Sequence, residues 1–407
     1  MADKPPQPDK SKKIAPRLWP LLGVNFFMAD MQSGIGPFIS VFLLERGWAS
    51  GMIGTAMMIG NIAGMLITTP IGGLIDTSTR KRLWVIIPGL AVVAASSIIL
   101  LWQNFWAVAA SQIATSVAGA AIVPAVTGIT LGIVRQRGFT RQNGLNQAFN
   151  HAGNMIGAAA SGYLGWQFGY FSVFLLAAFF GAITIVCVMM IPPSSIDNHA
   201  ARGGKEDDPK SQHSGLTVLF KHKALLVLAL SLAAFHLGNA AIVPLYGMAA
   251  VAGKQANGPS FVATTIVVAQ GTMIIASVIA MRTAEGRSYW PILLASFLVL
   301  PLRGVLAFFL SGWWGVFPIE ILDGLGTGLQ SVAVPGMVAR SLSGTGRVNL
   351  AQGAVITIQG AGAAVSPALG GWIAEWIGFS PTFLVLGALG LVAVGAWLTL
   401  GRHVKPY

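Results

Sequence analysis

The sequence contains little charge. Only 9% of its 407 residues are Asp, Glu, Lys or Arg, whereas soluble domains carry about 25%. Acidic residues are the scarcer kind, with 13 Asp and Glu against 25 Lys and Arg. A chain that is 54% hydrophobic and this poor in charge lacks the surface composition of a soluble protein. We therefore predict a polytopic membrane protein.

The sequence also lacks the residues and motifs of several kinds of chemical site. A single cysteine, Cys187, excludes a disulfide framework and a thiolate metal cluster, and we predict no metal site. Signatures of hydrolases, nucleotide phosphate loops and zinc sites are also missing, so we predict neither an enzyme nor a cofactor. Residues 1–18 are polar and basic and precede an apolar run long enough to span a membrane, which argues against a cleavable signal peptide.

Twelve long apolar runs follow one another along the chain. A helix needs about 20 apolar residues to cross a membrane, and lipid offers no partner to an open sheet edge. The fold class is therefore predicted to be an all-α membrane protein with twelve transmembrane helices. The predicted runs are 19–44, 51–75, 83–102, 105–134, 144–168, 170–192, 222–251, 258–281, 288–311, 312–339, 348–375 and 379–401.

The hydrophilic stretches between the runs indicate how the chain is oriented in the membrane and where its segments begin and end. All but three of the 25 Lys and Arg residues fall on one side when the runs are threaded through a membrane. By the positive-inside rule that side is the cytoplasm, so we predict a multi-pass protein of the cell (inner) membrane with both termini cytoplasmic. The predicted segments are a disordered tail at 1–18, a first bundle at 19–192, a cytoplasmic linker at 193–221, a second bundle at 222–401 and a tail at 402–407.

The two halves repeat each other weakly. Shifts of 207 to 211 residues lay runs of the first half on those of the second. Amide and proline pairs are the most informative, because chance matches of Gly and Ala are common in membrane helices. These pairs are Gln32 with Asn239, Asn150 with Gln359, Pro37 with Pro244, and Pro124 with Pro335. The chain is therefore predicted to form two pseudo-symmetric six-helix bundles.

The loop between the second and third runs carries a short charged motif. It reads Gly-Gly-Leu-Ile-Asp-Thr-Ser-Thr-Arg-Lys-Arg over residues 72–82. This stretch resembles the signature loop between helices two and three of the major facilitator superfamily (MFS) of transporters. Thr77 and Thr79 replace the usual Arg and Gly of that signature. The matching residues are Gly72, Asp76, Arg80, Lys81 and Arg82.

The resemblance covers about residues 19–401 and implies a function. Members of this superfamily are secondary transporters whose two halves surround a central cavity and open it alternately to either side. The resemblance also implies that the charged motif is a conformational latch on the cytoplasmic side. Two features depart from the family's drug/proton antiporters. Thr115 stands where their helix-four arginine is expected, and their Gly/Pro-rich motif occurs in run eleven, at 362–371, instead of run five.

Asp30 is the first candidate for proton coupling. An ionisable group at membrane depth is costly to bury and is a functional candidate by default. Asp30 stands in the middle of run one with no base nearby in the sequence, which suits a group that binds a proton in one conformation and releases it in another. The alternative is a structural hydrogen bond to a neighbouring helix. Gln32 and its repeat partner Asn239 are predicted to bind substrate or to bond across helices.

Two histidines within apolar runs are further candidates. His236 in run seven corresponds to Ala29, beside Asp30, in the other half. His151 in run five follows Asn150. A histidine titrates near physiological pH, which suits proton coupling. The alternative for each histidine is a hydrogen bond between two helices. The remaining polar candidates of the apolar runs are Gln330 and Gln359.

Arg303, Glu320 and Asp323 form a third group. Runs nine and ten are antiparallel, so Arg303 and Asp323 are expected at similar depth. Glu320 and Asp323 are three residues apart and share a helix face. An unpaired arginine there is expensive, so we predict a pair with Asp323 or with Glu320. Such a pair is either a structural ion pair or one that is switched by a proton or a substrate.

The predicted function is secondary active transport of a small organic solute by alternating access, coupled to protons. Export of an amphipathic compound is favoured over import of a small metabolite by proton symport. A lipid scramblase and a transporter-like receptor are the alternatives of another class. Predicted partners are the substrate, protons and the bilayer, without nucleic acid, and the chain is expected to be a monomer. The preference for an amphipathic compound rests on cavity candidates that combine a few polar groups with aromatic residues. These aromatic residues are Phe26, Phe27, Trp106, Phe149, Phe235, Tyr246 and Trp314.

Overall fold

The structure, a computed structural model, is built from α-helices. It describes residues 18–29, 35–198, 200–202, 222–255, 257–284, 288–310, 312–341 and 348–399, and no β-strand occurs among them. The α-helices are α1 (Trp19–Ala29), α2 (Ile35–Glu45), α3 (Ser50–Thr77), α4 (Leu83–Leu101), α5 (Phe105–Phe168), α6 (Tyr170–Met189), α7 (Lys223–Asn239), α8 (Ile242–Ala252), α9 (Gly258–Ala284), α10 (Trp290–Phe309), α11 (Val316–Ser341), α12 (Val348–Ile377) and α13 (Phe379–Thr399). Short 3-10 helices occur at Pro193–Ser195, Ala200–Arg202 and Trp313–Gly315.

These helices correspond to the twelve predicted runs. Within the described part of the chain, nine stretches are long and apolar enough to cross a membrane. They lie in α3, α4, the first part of α5, α6, α7 together with α8, α9, α10, α12 and α13. The other three predicted runs are represented by α1 with α2, by the second part of α5 and by α11.

Run seven, predicted as a single helix, is divided into two helices. In run seven, α7 ends at Asn239, and the Ala241 N–H donates to Ser366 Oγ of α12 at 2.9 Å instead of continuing the helix. Pro244, in the first turn of α8, has no N–H for the carbonyl four residues earlier. In run one the corresponding interval between α1 and α2 is 30–34, which lies outside the described residues.

The predicted loop between runs four and five is reduced to a single non-helical residue. Arg135 has φ 55° and ψ −178°, whereas helical geometry continues on both sides of it within α5. A positive φ is uncommon for a residue with a side chain. Arg135 Nη2 lies 3.1 Å from Asp197 Oδ2, so an exposed ion pair accompanies the turn.

The two halves, α1–α6 and α7–α13, meet along the helix pairs α3–α12, α5–α9 and α2–α8. Glycines allow this close approach. A Cβ at Gly54 of α3 would collide with the Pro367 carbonyl of α12, and a Cβ at Gly162 of α5 would collide with Ala263 of α9. The interface therefore requires residues without side chains at the crossing points.

These contacts lie towards one end of the molecule. We call it the closed end, and it contains the turns at 46–49 and 253–255 and the glycines at 169 and 378. At the opposite end, which contains the turn at 78–82, α3 and α12 separate. Among the described residues, no heavy atom outside the local helix backbone lies within 4 Å of a Cβ built at Gly72, Gly73, Gly353 or Gly360. The two halves thus diverge from the closed end towards this open end.

The start of the predicted linker packs against the first half. The Asp197 N–H donates to the Gly132 carbonyl of α5 at 3.0 Å. Ile196 and Ala201 are buried, and Ile196 belongs to a hydrophobic cluster built from α1, α3, α4, α5 and α6. Residues 193–198 and 200–202 therefore extend the folded first half beyond α6.

Candidate functional site

A buried group of charged residues joins α7, α10 and α11. Arg303 Nη1 lies 2.7 Å from Asp323 Oδ1 and 2.8 Å from Asn239 Oδ1. Arg303 Nη2 lies 3.2 and 3.3 Å from the two carboxylate oxygens of Glu320. Asn239 Nδ2 donates to Asp323 Oδ1 at 2.9 Å. We call these four residues the buried charge cluster. Arg303 pairs with both acids, between which the sequence left the choice open.

The antiparallel packing of α10 and α11 places the partners at one depth. Arg303 lies six residues before the end of α10, and Asp323 lies seven residues after the start of α11. At about 1.5 Å per residue, both are roughly 10 Å from the helix ends that face the closed end. Glu320 lies one turn before Asp323 on the same face of α11, so both carboxylates reach the same guanidinium.

Burial makes the charge balance of this cluster important. The side chains of Arg303 and Glu320 are 0% exposed, and that of Asp323 is 13% exposed. A buried charge is tolerated only when it is paired and hydrogen-bonded. Asn239 is the last residue of α7, and the partial negative charge of a helix carboxyl end further favours the guanidinium. With both acids ionised, one positive and two negative charges leave one negative charge uncompensated.

His236 and Gln330 extend the polar group towards the open end. His236 lies one turn before Asn239 on α7 and interacts with the Gln330 side chain and, over a longer distance, with Asp323. The buried His236 Nε2 has no hydrogen-bond partner among the described residues. Gln330 Nε2 lies 3.4 Å from Ser296 Oγ of α10. The described residues contain no group of three or more His, Cys, Asp or Glu placed to hold a metal ion.

A second polar group lies where the halves meet. His151 Nδ1 of α5 lies 2.7 Å from Gln270 Oε1 of α9, which belongs to the other half. Asn150 Nδ2 lies 3.4 Å from the Asn25 carbonyl of α1. Gln359 is half-buried on α12. Sequence reasoning missed Gln270, although an amide within an apolar run is the same signal that singled out Asn150 and Gln359.

Asp30 and Gln32 lie outside the described residues. They fall between α1 and α2, at the interval that corresponds to the break after Asn239 in run seven. The roles predicted for Asp30 in coupling and for Gln32 in binding therefore stay predictions.

The charged motif at the open end is held by contacts within the first half. Lys81 is 1% exposed, and its Nζ donates to the Ile75 carbonyl of α3 at 2.8 Å. Arg82 Nη1 donates to the Ile191 carbonyl, just past α6, at 3.0 Å. Both cations thus bind carbonyls at the carboxyl ends of helices, where a positive charge is favoured. Arg80 is exposed.

The latch predicted for this motif concerns contacts with the second half. Asp76 belongs to the last turn of α3, and its side chain lies outside the described part of the structure. Gly72 faces open space in this conformation, in which α3 and α12 are apart at the open end. The latch therefore stays a prediction about a conformation in which that end is shut.

The aromatic residues predicted to line a central cavity do not lie together in the structure. Phe235 and Tyr246 are buried in the hydrophobic core, whereas Trp106 and Trp314 are strongly exposed near helix starts. Phe27 packs edge-on against Phe180 of α6 within the first half. Phe26 is partly buried, and Phe149 is exposed. Most of these aromatics serve packing or face the surroundings, which removes the main support for an amphipathic substrate.

Comparisons with a family model and with individual proteins identify the same family. The chain matches the model of the Major Facilitator Superfamily over residues 21–319. It is 35% identical over 369 residues to uncharacterized MFS-type transporters of Mycobacterium tuberculosis strains CDC 1551 and H37Rv. The alignment covers 90% of this chain and 88% of those proteins.

Solved structures share the architecture. The nucleoside transporter NupG superposes with a TM-score of 0.76 at 12% identity, covering 94% of this chain and 98% of that one. A bacterial homolog of the human lysosomal transporter Spinster, in an inward-facing and occupied conformation, gives a TM-score of 0.72 at 11% identity, covering 95% and 96%. Such identities establish the fold alone. With two six-helix halves, the signature motif at 72–82 and these relatives, the chain belongs to the major facilitator superfamily and is an MFS-type membrane transporter.

Proposed function

We propose that the protein is a proton-coupled secondary active transporter that exports a small organic solute across the cell membrane by alternating access. The observation that carries this proposal is the buried charge cluster. A structural ion pair needs one acid for one base, whereas here two carboxylates share the single guanidinium of Arg303. The second carboxylate is the feature that a purely structural role leaves unexplained.

The second carboxylate supplies a place for a proton. Burying a net charge is costly, so a proton on Asp323 or Glu320 relieves the uncompensated negative charge. Arg303 links α10 to α11 and, through Asn239, to α7. Gain or loss of the proton therefore changes how firmly three helices are held together. A difference of a few kcal/mol between two conformations is enough to shift their populations.

The distribution of basic residues supports an inward-open conformation. Arg80, Lys81 and Arg82 lie at the open end, and the positive-inside rule assigns that end to the cytoplasm. Both termini and the linker are then cytoplasmic as well. We further propose that Asp30, at the interval between α1 and α2, is the coupling group of the first half.

Export requires that a proton and the solute exchange at the buried charge cluster. A solute from the cytoplasm has access from the open end, whereas protons arrive from the other side after the closed end has opened. If solute and proton compete for the cluster, each proton that enters drives a solute molecule out. Import by symport would instead require both to bind together.

The test uses the purified full chain in proteoliposomes. Solutes that raise its melting temperature are first selected in a screen, because a ligand of the folded state stabilises it. Each is then added to vesicles that contain a pH-sensitive dye, under an imposed pH gradient. Solute-dependent proton movement in the opposite direction to solute flux is expected for the wild type. It should be abolished in Asp323→Asn and retained in Asp197→Asn, which removes an exposed acid from a different arginine.

Each contrary result has a clear meaning. Solute flux without proton movement, or an unaffected Asp323→Asn variant, would refute proton coupling at the cluster. Proton and solute movement in the same direction would replace export by symport. Movement of labelled lipid without any gradient, and without solute flux, would assign the chain to the scramblases.

A further inference from the structure

The buried charge cluster also limits the charge of the solute. This inference rests on the proposed function and names its substrate class. Arg303 is the only cation of the cluster, and its two terminal nitrogens are already bound to Asp323, Asn239 and Glu320. The third guanidinium nitrogen, Arg303 Nε, is buried and has no hydrogen-bond partner among the described residues. An anionic solute that bound there would still add negative charge to a group that already has an excess.

Of the two acids, Asp323 has a carboxylate oxygen that a ligand could bind. Its Oδ1 accepts from both Arg303 and Asn239, whereas its Oδ2 has no hydrogen bond to a described residue. Its side chain is 13% exposed, and those of Arg303 and Glu320 are 0% exposed. Of the two carboxylates, Asp323 is therefore the one that a ligand can approach.

The surroundings of Asp323 favour a cation. Asn239 places the carboxyl end of α7 beside Asp323, and a helix carboxyl end carries a partial negative charge. His236 presents a buried Nε2 without a partner among the described residues, which can accept a hydrogen bond in one tautomer of the neutral ring. Gln330, which His236 contacts, adds an amide that can bind a neutral part of the solute.

We infer that the exported solute carries a positive charge and that this charge takes the place of the proton at Asp323 Oδ2. One carboxylate then holds either a proton or the solute. This competition provides the exchange that export requires. A neutral solute would leave the negative charge of the cluster uncompensated, and an anion would increase it.

The experiment is a screen sorted by charge. The purified full chain is melted in the presence of a panel in which each alkyl, phenyl and nucleoside scaffold occurs three times, with a trimethylammonium, a neutral tert-butyl or a carboxylate group. The tert-butyl group has nearly the shape of trimethylammonium, so the comparison isolates charge. Only trimethylammonium members are expected to raise the melting temperature. Equal shifts from tert-butyl or carboxylate members, or no shift from any trimethylammonium member, would overturn the inference.

Variants and pH locate the binding position. Asp323→Asn is expected to weaken the best trimethylammonium ligand by at least about tenfold, whereas Asp197→Asn should bind it normally. In the wild type, acidification should weaken the same ligand, whose own charge does not change with pH. Among the described residues, the charged and titratable groups around the cluster are Arg303 on α10, Glu320 on α11 and His236 on α7, together with Tyr246 on α8, which interacts with Glu320. Affinity that is independent of pH would exclude competition, even if Asp323→Asn proves unstable.

The outcomes separate this inference from the proposed function. Neutral or anionic ligands that drive proton movement in vesicles would keep proton coupling and remove the assigned charge. Trimethylammonium ligands that depend on Asp323 but move no protons would keep the charge and remove the coupling.

Discussion

Ser50 and Gly371 join the two halves at the closed end. Ser50 Oγ, on the first residue of α3, lies 3.0 Å from the Gly371 carbonyl of α12 and 3.2 Å from Glu375 Oε2. Five residues along α3, Thr55 Oγ1 accepts from Trp372 Nε1 at 3.0 Å. Every one of these contacts must break if the closed end is to open, so we expect this crossing to favour the conformation in which that end is shut.

We predict that Gly54→Ala favours opening of the closed end. A Cβ at this position would collide with the Pro367 carbonyl, so the crossing of α3 and α12 cannot be kept unchanged. Distances between spin labels on the two halves at the closed end should lengthen. Gly353→Ala is the matched control, because a Cβ there meets open space on α12. Equal distance distributions for both variants would show that this crossing does not control the equilibrium.

We predict that His151 and Gln270 act as one contact across the interface. Each single alanine substitution should weaken the closed end by about 1 kcal/mol, the usual net value of one hydrogen bond. The double variant should cost no more than either single variant, because the bond can be lost only once. Label distances at the closed end provide the readout. Additive effects in this cycle would argue that the 2.7 Å approach has no energetic weight.

Removal of Arg303 should destabilise the second half strongly. Arg303→Ala leaves two buried acids without their cation, and breaking a buried pair in this way costs about 3–5 kcal/mol. Arg303→Ala combined with Asp323→Ala should be milder than Arg303→Ala alone, as should the combination with Glu320→Ala. Thermal unfolding in detergent measures all of these variants. Losses that simply add would contradict the observed pairing.

We predict that Asp76→Asn alters the conformational balance rather than the affinity for solute. The predicted latch shuts the open end, so its loss should favour the inward-open conformation and lower the rate of turnover. An exposed pair is worth about 1 kcal/mol or less, so a shift of a few-fold in population is expected. Spin labels at the cytoplasmic ends of the two halves report it. Unchanged distances and turnover would reduce the motif to a topology signal.

The sidedness can be tested with single cysteines. Because Cys187 is buried, it should give little background. Ser211→Cys in the linker should resist an impermeant thiol reagent in intact cells, whereas Lys254→Cys at the closed end should react. Lys254 is exposed, so its position suits labelling. The reverse pattern would invert the assigned orientation.

The long apolar runs of the sequence predicted the helices well because a membrane imposes a simple rule. About 20 apolar residues are needed for each crossing, and the predicted runs coincide with the helices to within a few residues at most ends. The break in run seven was not predicted, because it depends on Ser366 of α12 capturing the Ala241 N–H, 125 residues away. The single-residue turn at Arg135 was also missed, since three basic residues within seven positions are typical of a longer loop.

The part of the site that depends only on charge, the pairing of a buried arginine with an acid, could be predicted from the sequence. An unpaired arginine at membrane depth is costly, so Arg303 was expected to pair with an acid at the same depth. Run ten contains two such acids. The sharing of Arg303 between both acids and Asn239 depends on how three helices pack, which no local pattern encodes. For the same reason Trp106 and Tyr246 were both expected to line a cavity, whereas Trp106 is strongly exposed near the start of α5 and Tyr246 is buried in the core. Aromatic residues are common in every part of a membrane protein.

The packing of residues 193–198 and 200–202 against the first half determines where the gene can be split. Ala201 and Lys81 both lie against α5 at Gly128, and Asp197 holds Arg135 at its non-helical turn. A first fragment that stopped at residue 192 would lose the cover of Lys81 and the partner of Arg135. A fragment that ran through residue 202 would keep both. Coexpressed fragments divided after that position are therefore the ones that should reassemble into a working transporter.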